Sequence, residues 1–176
     1  MTQQVYNNRA IWTPDRLVET GIEGRIAYLT QLGVLYKGDL LKVLPHICAE
    51  SVDTIFVDPP FNLSKVYGAR VNDNISEEKY VSWCKAWLDQ CIRVVKPGGA
   101  IFVYNLPKWN IILGNHLNES GMMFRHWISV NIKLSLPIPG RLYPSHYSLL
   151  YYKGKAEDLQ TNPNSYRGMP ALWKGA

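Results

Sequence analysis

One stretch, VDTIFVDPPFN at residues 52–62, constrains this chain more than any other. Val52 to Val57 form a short apolar run rich in β-branched residues and bounded by turn formers, the pattern of a buried strand. The tail of the stretch rules out the usual sequel. Proline lacks an N–H and disfavours helical backbone in the residue before it. Asp58 and Pro59 are therefore both pushed towards extended conformations, and no helix can start directly at the strand's end. The result is a stiff spur at the carboxyl end of a sheet, where open α/β sheets bind ligands. It carries a carboxylate (Asp58), a carbonyl (Pro59) and a flat ring (Phe61).

Those groups suit a planar molecule with an exocyclic amine. Carboxylate and carbonyl are acceptors, and an –NH2 group offers two donors. The Phe61 ring can stack on a heterocycle, a contact worth roughly 1–3 kcal/mol per base. An amine on adenine or cytosine is a poor nucleophile because its lone pair is delocalised into the ring. Two acceptors gripping its hydrogens favour a pyramidal nitrogen with the lone pair free to attack. The competing reading is a Pro-Pro turn after a core strand, with Phe61 as ordinary packing.

The flanks read as alternating strands and helices, hence an α/β sheet of Rossmann type. Thr13-Pro14-Asp15 opens a candidate helix through Leu17, Val18, Ile22, Ile26 and Leu29, weakened by Gly21 and Gly24. Val34 to Tyr36 make a brief strand ending at Gly38-Asp39, so Asp39 should share the sheet rim of Asp58; its simpler role is a helix cap. Leu63 to Ile75 read as a loop. Ser76 caps a helix whose stripe of Tyr80, Cys84, Trp87, Leu88, Cys91, Ile92 and Val95 belongs to the core. Pro97-Gly98-Gly99 stops that helix, and Ala100 to Tyr104 form a second buried strand. Pro107 opens another helix with Trp109, Ile112, Leu113, His116 and Leu117 on its inner face, closed by Gly121. Phe124 to Leu134 alternate as a strand with one covered face, Pro137 to Gly140 break it, and Tyr147 to Lys153 form a last strand.

With these residues in view, Asp58-Pro59-Pro60-Phe61 resembles the catalytic motif of the amino-methyltransferases that modify adenine N6 or cytosine N4 in DNA. Leu35 to Leu41 (LYKGDLL) resemble the family's cofactor-contacting Gly-Asp strand end, and Val95 to Val103 (VKPGGAIFV) its Lys-Pro-Gly-Gly turn. The match runs in order from about Gly33 to Lys153. The resemblance implies a Rossmann-like, S-adenosylmethionine-dependent methyltransferase fold with double-stranded DNA as partner and a flipped target base. Asp58, Pro59, Pro60 and Phe61 become the catalytic set, with Asp39, Leu40 and Asp58 toward S-adenosyl-L-methionine. An Asp opening the motif leans towards adenine N6. In the terminal strands, Arg141 and His146 fit the family, but Tyr147 stands where a Glu is usual.

The family's Gly-rich cofactor loop has no counterpart after Lys153, so the sheet should be incomplete between the Gly-Asp and Asp-Pro-Pro strands. Unpaired edges of that kind are an aggregation hazard. The expectation is an N-terminal arm and helix (1–33), a partial catalytic domain (34–153), and a loop or start of a target-recognition region (154–176). A second chain or C-terminal continuation would complete the sheet. Rival readings are an inactive remnant binding DNA or protein, and the same chemistry on RNA or a glutamine amide.

Composition sets outer bounds. A chain of 176 residues, 47% apolar and 19% charged, describes a globular protein with a real core. A net charge of +5 permits a nucleic-acid partner without marking its contact face. Cys48, Cys84 and Cys91 are odd in number and lack metal spacing, which argues for free thiols in a reducing cytoplasm. No stretch has the length and apolarity of a membrane span, and no metal-binding pattern occurs.

Overall fold

A computed structural model describes residues 26–30, 33–63, 66–67, 71–72, 75–132, 140 and 145–155. In chain order the elements are β1 (Ile26–Leu29), β2 (Val34–Tyr36), α1 (Leu40–Val43), a 3-10 turn (Leu44–His46) and β3 (Val52–Val57). Then come β4 (Val66–Tyr67), β5 (Val71–Asn72), α2 (Glu77–Val94), β6 (Val95–Asn105), α3 (Pro107–Glu119), β7 (Met123–Asn131) and β8 (His146–Lys153).

Four strands form the main sheet in the order β3-β6-β8-β7. β3 and β6 run parallel, joined by α2, while β8 lies antiparallel between β6 and β7. Parallel neighbours need a long crossover, and the 18-residue α2 supplies it. Successive strand residues point to opposite faces. On one face Ile101, Val103, Leu150 and Tyr152 are all at most 2% exposed. There they meet Tyr80, Cys84, Trp87, Leu88 and Cys91 of α2 and Trp109, Leu113 and Leu117 of α3. The Asn110 amide ties α3 to this face, donating to the carbonyls of Val103 and Ser148. The other face carries Phe56, which is 61% exposed, and the half-buried Phe102, Tyr104, Leu149 and Tyr151. Phe102 and Tyr151 stack there with centroids 4.6 Å apart.

The Lys-Pro-Gly-Gly segment lies inside β6 rather than ending the helix. α2 finishes at Val94, and the β3–β6 register jumps from Val52↔Val95 to Thr54↔Ala100. Pro97, Gly98 and Gly99 form the resulting bulge, with Gly98 at φ 72°. A Cβ on Gly99 would meet the Asp53 carbonyl at 2.9 Å.

Several expectations are corrected. Ile26 and Leu29 belong to strand β1, not a helix; pairing with β2 overrides their helical spacing. β1 and β2 form a separate two-stranded antiparallel sheet, so Asp39 does not share a sheet rim with Asp58. The 63–75 loop contains the short β4–β5 pair. Ile112 is 36% exposed, its inner-face place going to Asn110 and Gly114. β7 is an edge strand exposed along most of its length, with Ile128 at 39%. The N-terminal arm, Leu134, the Pro137–Pro139 break, Arg141 and residues 156–176 lie outside the described residues.

Candidate active site: the Asp-Pro-Pro-Phe spur

β3 ends at Val57, and Asp58 to Phe61 continue as irregular chain beyond the sheet. Asp58 is exposed, Pro59 half-buried, Pro60 exposed and Phe61 half-buried. The carboxylate faces outward and the ring is not sealed in the core, as the amine-holding reading requires. Among the described residues, no hydrogen bond or ion pair engages the Asp58 carboxylate.

The spur backbone, by contrast, is tied down. The Tyr80 hydroxyl on α2 donates to the Pro60 carbonyl at 2.7 Å, and the buried Asn105 amide donates to that hydroxyl at 3.0 Å. The Trp109 indole on α3 donates to the Phe61 carbonyl at 2.8 Å. Asn62, in left-handed backbone at φ 56°, pairs through its amide with both the N–H and the carbonyl of Ile75. That pair closes the 63–74 loop at its base.

Phe61 sits in an aromatic trio. Its ring centroid lies 5.7 Å from Tyr104 and 5.4 Å from Tyr147, and those two are 5.4 Å apart. Val57 pairs with Val103, which places Tyr104 next along β6 beside Asp58. Burial, then Tyr147, then the Asp58 charge raise the Tyr104 phenol above its ordinary value, so it stays protonated at neutral pH. The site is thus a bare carboxylate flanked by aromatic rings.

Sequence reasoning placed Tyr80 and Trp109 in the core and stopped there. Both are buried, yet each carries a polar tip that needs a partner, and each finds it on the spur. That need was the available signal. Asn62, Asn105 and Tyr104 were not singled out at all. His116, read as packed or at the rim, contacts Asp89 at 2.7 Å, away from the spur. Among the described residues there is no cluster able to hold a metal ion, and no helix is long and apolar enough to cross a membrane.

Asp39 is the N-cap of α1, its side chain accepting from the Leu41 amide at 3.0 Å; Leu40 is 40% exposed. The simpler role of Asp39 is therefore present in the structure. A carboxylate and an exposed apolar side chain are groups that suit a ribose and an adenine face, but they stand on the β2–α1 unit, outside the sheet of Asp58. The described residues fit the amine-holding end of the reaction; they do not by themselves assemble a cofactor pocket.

Solved structures that share this strand and helix arrangement are methyltransferases. The cytosine-N4-specific PvuII DNA methyltransferase superposes with a TM-score of 0.59 at 21% identity, over 73% of this chain and 51% of that one. A DNA modification methylase of Thermus thermophilus, in complex with S-adenosyl-L-methionine, superposes with a TM-score of 0.52 at 14% identity, over 76% of this chain and 61% of that one. The fold is that of the S-adenosylmethionine-dependent methyltransferases. The sequence model of the DNA methylase family of N6 and N4 methyltransferases matches residues 52–171, more than half of the chain. The chain is also 53% identical over 140 residues to the type II methyltransferase M.BamHI of Bacillus amyloliquefaciens, a match that covers 77% of this chain and 33% of that protein. It belongs to the DNA methylase family, whose methyl donor is S-adenosyl-L-methionine. It spans about a third of the length of that relative.

Proposed function

We propose that this chain provides the base-modifying corner of a DNA amino-methyltransferase. The observation that carries this reading is the outward carboxylate of Asp58 on a backbone held by Tyr80 and Trp109, next to the half-buried ring of Phe61. Asp58 and the Pro59 carbonyl grip the exocyclic amine of a base flipped out of double-stranded DNA, at an unpairing cost on the order of a few kcal/mol. Pro60 stiffens the corner and Phe61 stacks on the base. S-adenosyl-L-methionine supplies the methyl group, with Asp39 and Leu40 toward its adenosine. The chain's own contribution is positioning and fixed polar groups at the nitrogen that becomes charged.

Adenine N6 is the favoured target, because Asp opens the motif. Cytosine N4 presents the same pair of donors, and a solved relative in fold is cytosine-N4-specific. Further polypeptide, as a continuation or a second chain, pairs with the outer edge of β3, which has no partner among the described residues. The three cysteines are free, which suits a reducing cytoplasm.

The test is transfer of labelled methyl from S-adenosyl-L-methionine to duplex DNA by the full chain, alone and with its continuation, followed by digestion to nucleosides. N6-methyladenine is the expected product, and N4-methylcytosine would correct the target while keeping the chemistry. Asp58→Ala should lower transfer by roughly 10²–10³-fold or more with the fold intact. Equal transfer by wild type and Asp58→Ala would overturn the assignment. Absence of both transfer and S-adenosyl-L-methionine binding would favour the non-enzymatic binding module instead.

A further inference from the structure

The spur has three consecutive backbone carbonyls, at Pro59, Pro60 and Phe61, and any of them could face an amine. None of these residues follows regular backbone pairing, so side chains decide which oxygen is left over. Pro60 oxygen receives the Tyr80 hydroxyl at 2.7 Å, and Phe61 oxygen receives the Trp109 indole at 2.8 Å. The Pro59 carbonyl has no hydrogen bond among the described residues. Tyr80 is 2% exposed and lies on the first turn of α2, far from any contact with a substrate on the open face.

The Tyr80 hydroxyl is itself oriented. It accepts from the Asn105 amide at 3.0 Å, and Asn105 is fully buried at the end of β6. The Asn105 side-chain oxygen accepts from the Leu106 N–H at 2.8 Å, where the strand turns into α3. With its amide committed to donating, Asn105 leaves the Tyr80 proton only one direction, toward Pro60. The Tyr80 ring also packs on Trp109, centroids 4.7 Å apart, so both donors to the spur brace each other.

We propose that Tyr80 is a positioning residue that selects the acceptor: by occupying the Pro60 carbonyl it leaves the Pro59 carbonyl and the Asp58 carboxylate as the pair that meets the amine. This rests on the proposed base-modifying role of the spur. Without the Tyr80 bond, the Pro60 carbonyl is a buried-side acceptor lacking a partner, and the corner rotates to find one. The carboxylate and the Pro59 oxygen then lose their shared aim, while the DNA-binding surface is untouched.

The test is Tyr80→Phe in the full chain, which keeps the ring and removes only the hydroxyl. In the unliganded protein, the carbonyl ¹³C signal of Pro60 should shift while those of the β6–β8 core stay in place. With duplex DNA and S-adenosyl-L-methionine, kcat should fall about tenfold with KM for DNA within about twofold, since the lost bond acts on the transition-state geometry. Should Tyr80→Phe fail to fold, 3-fluorotyrosine placed at position 80 keeps the shape and strengthens the donor, and the same Pro60 signal should move in the opposite direction. An unmoved Pro60 signal overturns the proposal whatever the activity. So does a wild-type kcat per folded molecule in Tyr80→Phe, which would make the bond structural only. An inactive wild type strikes the methyl-transfer reading instead, and the Pro59 and Pro60 carbonyl signals then decide alone whether Tyr80 selects between them.

Discussion

Strand β3 carries one carboxylate near each end, and their circumstances are opposite. Asp53, at the amino end, pairs with Lys96 at 2.7 Å across the β6 bulge. Asp58, just past the carboxyl end, has no such partner among the described residues. The backbone around them is reversed as well. Near Asp53 the chain closes on itself, with the Gly154 N–H donating to the Gly99 carbonyl at 2.8 Å and the Gly99 Cα against the Asp53 carbonyl. Near Asp58 the backbone is held by side chains from two helices and by Asn62. One rim uses its polar groups to close the fold. The other is held rigid from behind and keeps its charge available, which is how preorganised sites are built.

The sharpest way to break this comparison is to remove each acid in turn. Asp58→Ala should lose roughly 10²–10³-fold in methyl transfer, whereas Asp53→Ala should stay close to wild type in the same assay. Comparable losses would mean that the pairing difference carries no functional weight. Next in size is Gly99→Ala. Its Cβ would stand 2.9 Å from the Asp53 carbonyl and 3.0 Å from the Lys96 carbonyl, both backbone atoms that cannot step aside cheaply. Urea unfolding should show a loss of about 1–3 kcal/mol, with transfer per folded molecule unchanged.

A smaller effect tests the core that lies between the two rims. Burial pushes the Cys84 and Cys91 thiols up to about 12 from an ordinary value near 9. Between those values the unfolded chain has released protons that the folded chain still holds. The folded state thus binds more protons there, and stability must fall as pH rises from about 9 towards about 12. Urea midpoints measured across that range in wild type and in Cys84→Ala should show a shallower decline in the variant. Smallest of all is Asp53→Asn. Its partner is 43% exposed and its own side chain 82%, so the loss should stay below about 1 kcal/mol and shrink in high salt.

Much of the fold was legible locally. The α2 stripe from Tyr80 to Cys91 repeats with helical spacing, and the structure buries those residues together. Pro107 opens α3 and the positive φ of Gly121 follows its end, because each residue has a backbone preference that acts regardless of context. The errors fell where long-range pairing decides. Ile26 and Leu29 are as compatible with a strand as with a helix, and only the partner β2 settles the matter. Val95 to Gly99 look like a helix stop, yet the parallel alignment with β3 draws them into a bulged strand. Asp39 and Asp58 end similar apolar runs, but membership of different sheets separates them.

By itself the sequence determined the chemical identity of the corner: Pro59 and Pro60 forbid a helix there, so an acid and an aromatic ring must stand clear at a strand end. Tertiary structure alone decided which carbonyl remains free, because Tyr80, Asn105 and Trp109 reach the spur from positions twenty to forty-eight residues away. Backbone stereochemistry is a local property and can be read from neighbouring letters. A hydrogen bond between a core side chain and a distant carbonyl exists only once hydrophobic burial has brought both to the same place.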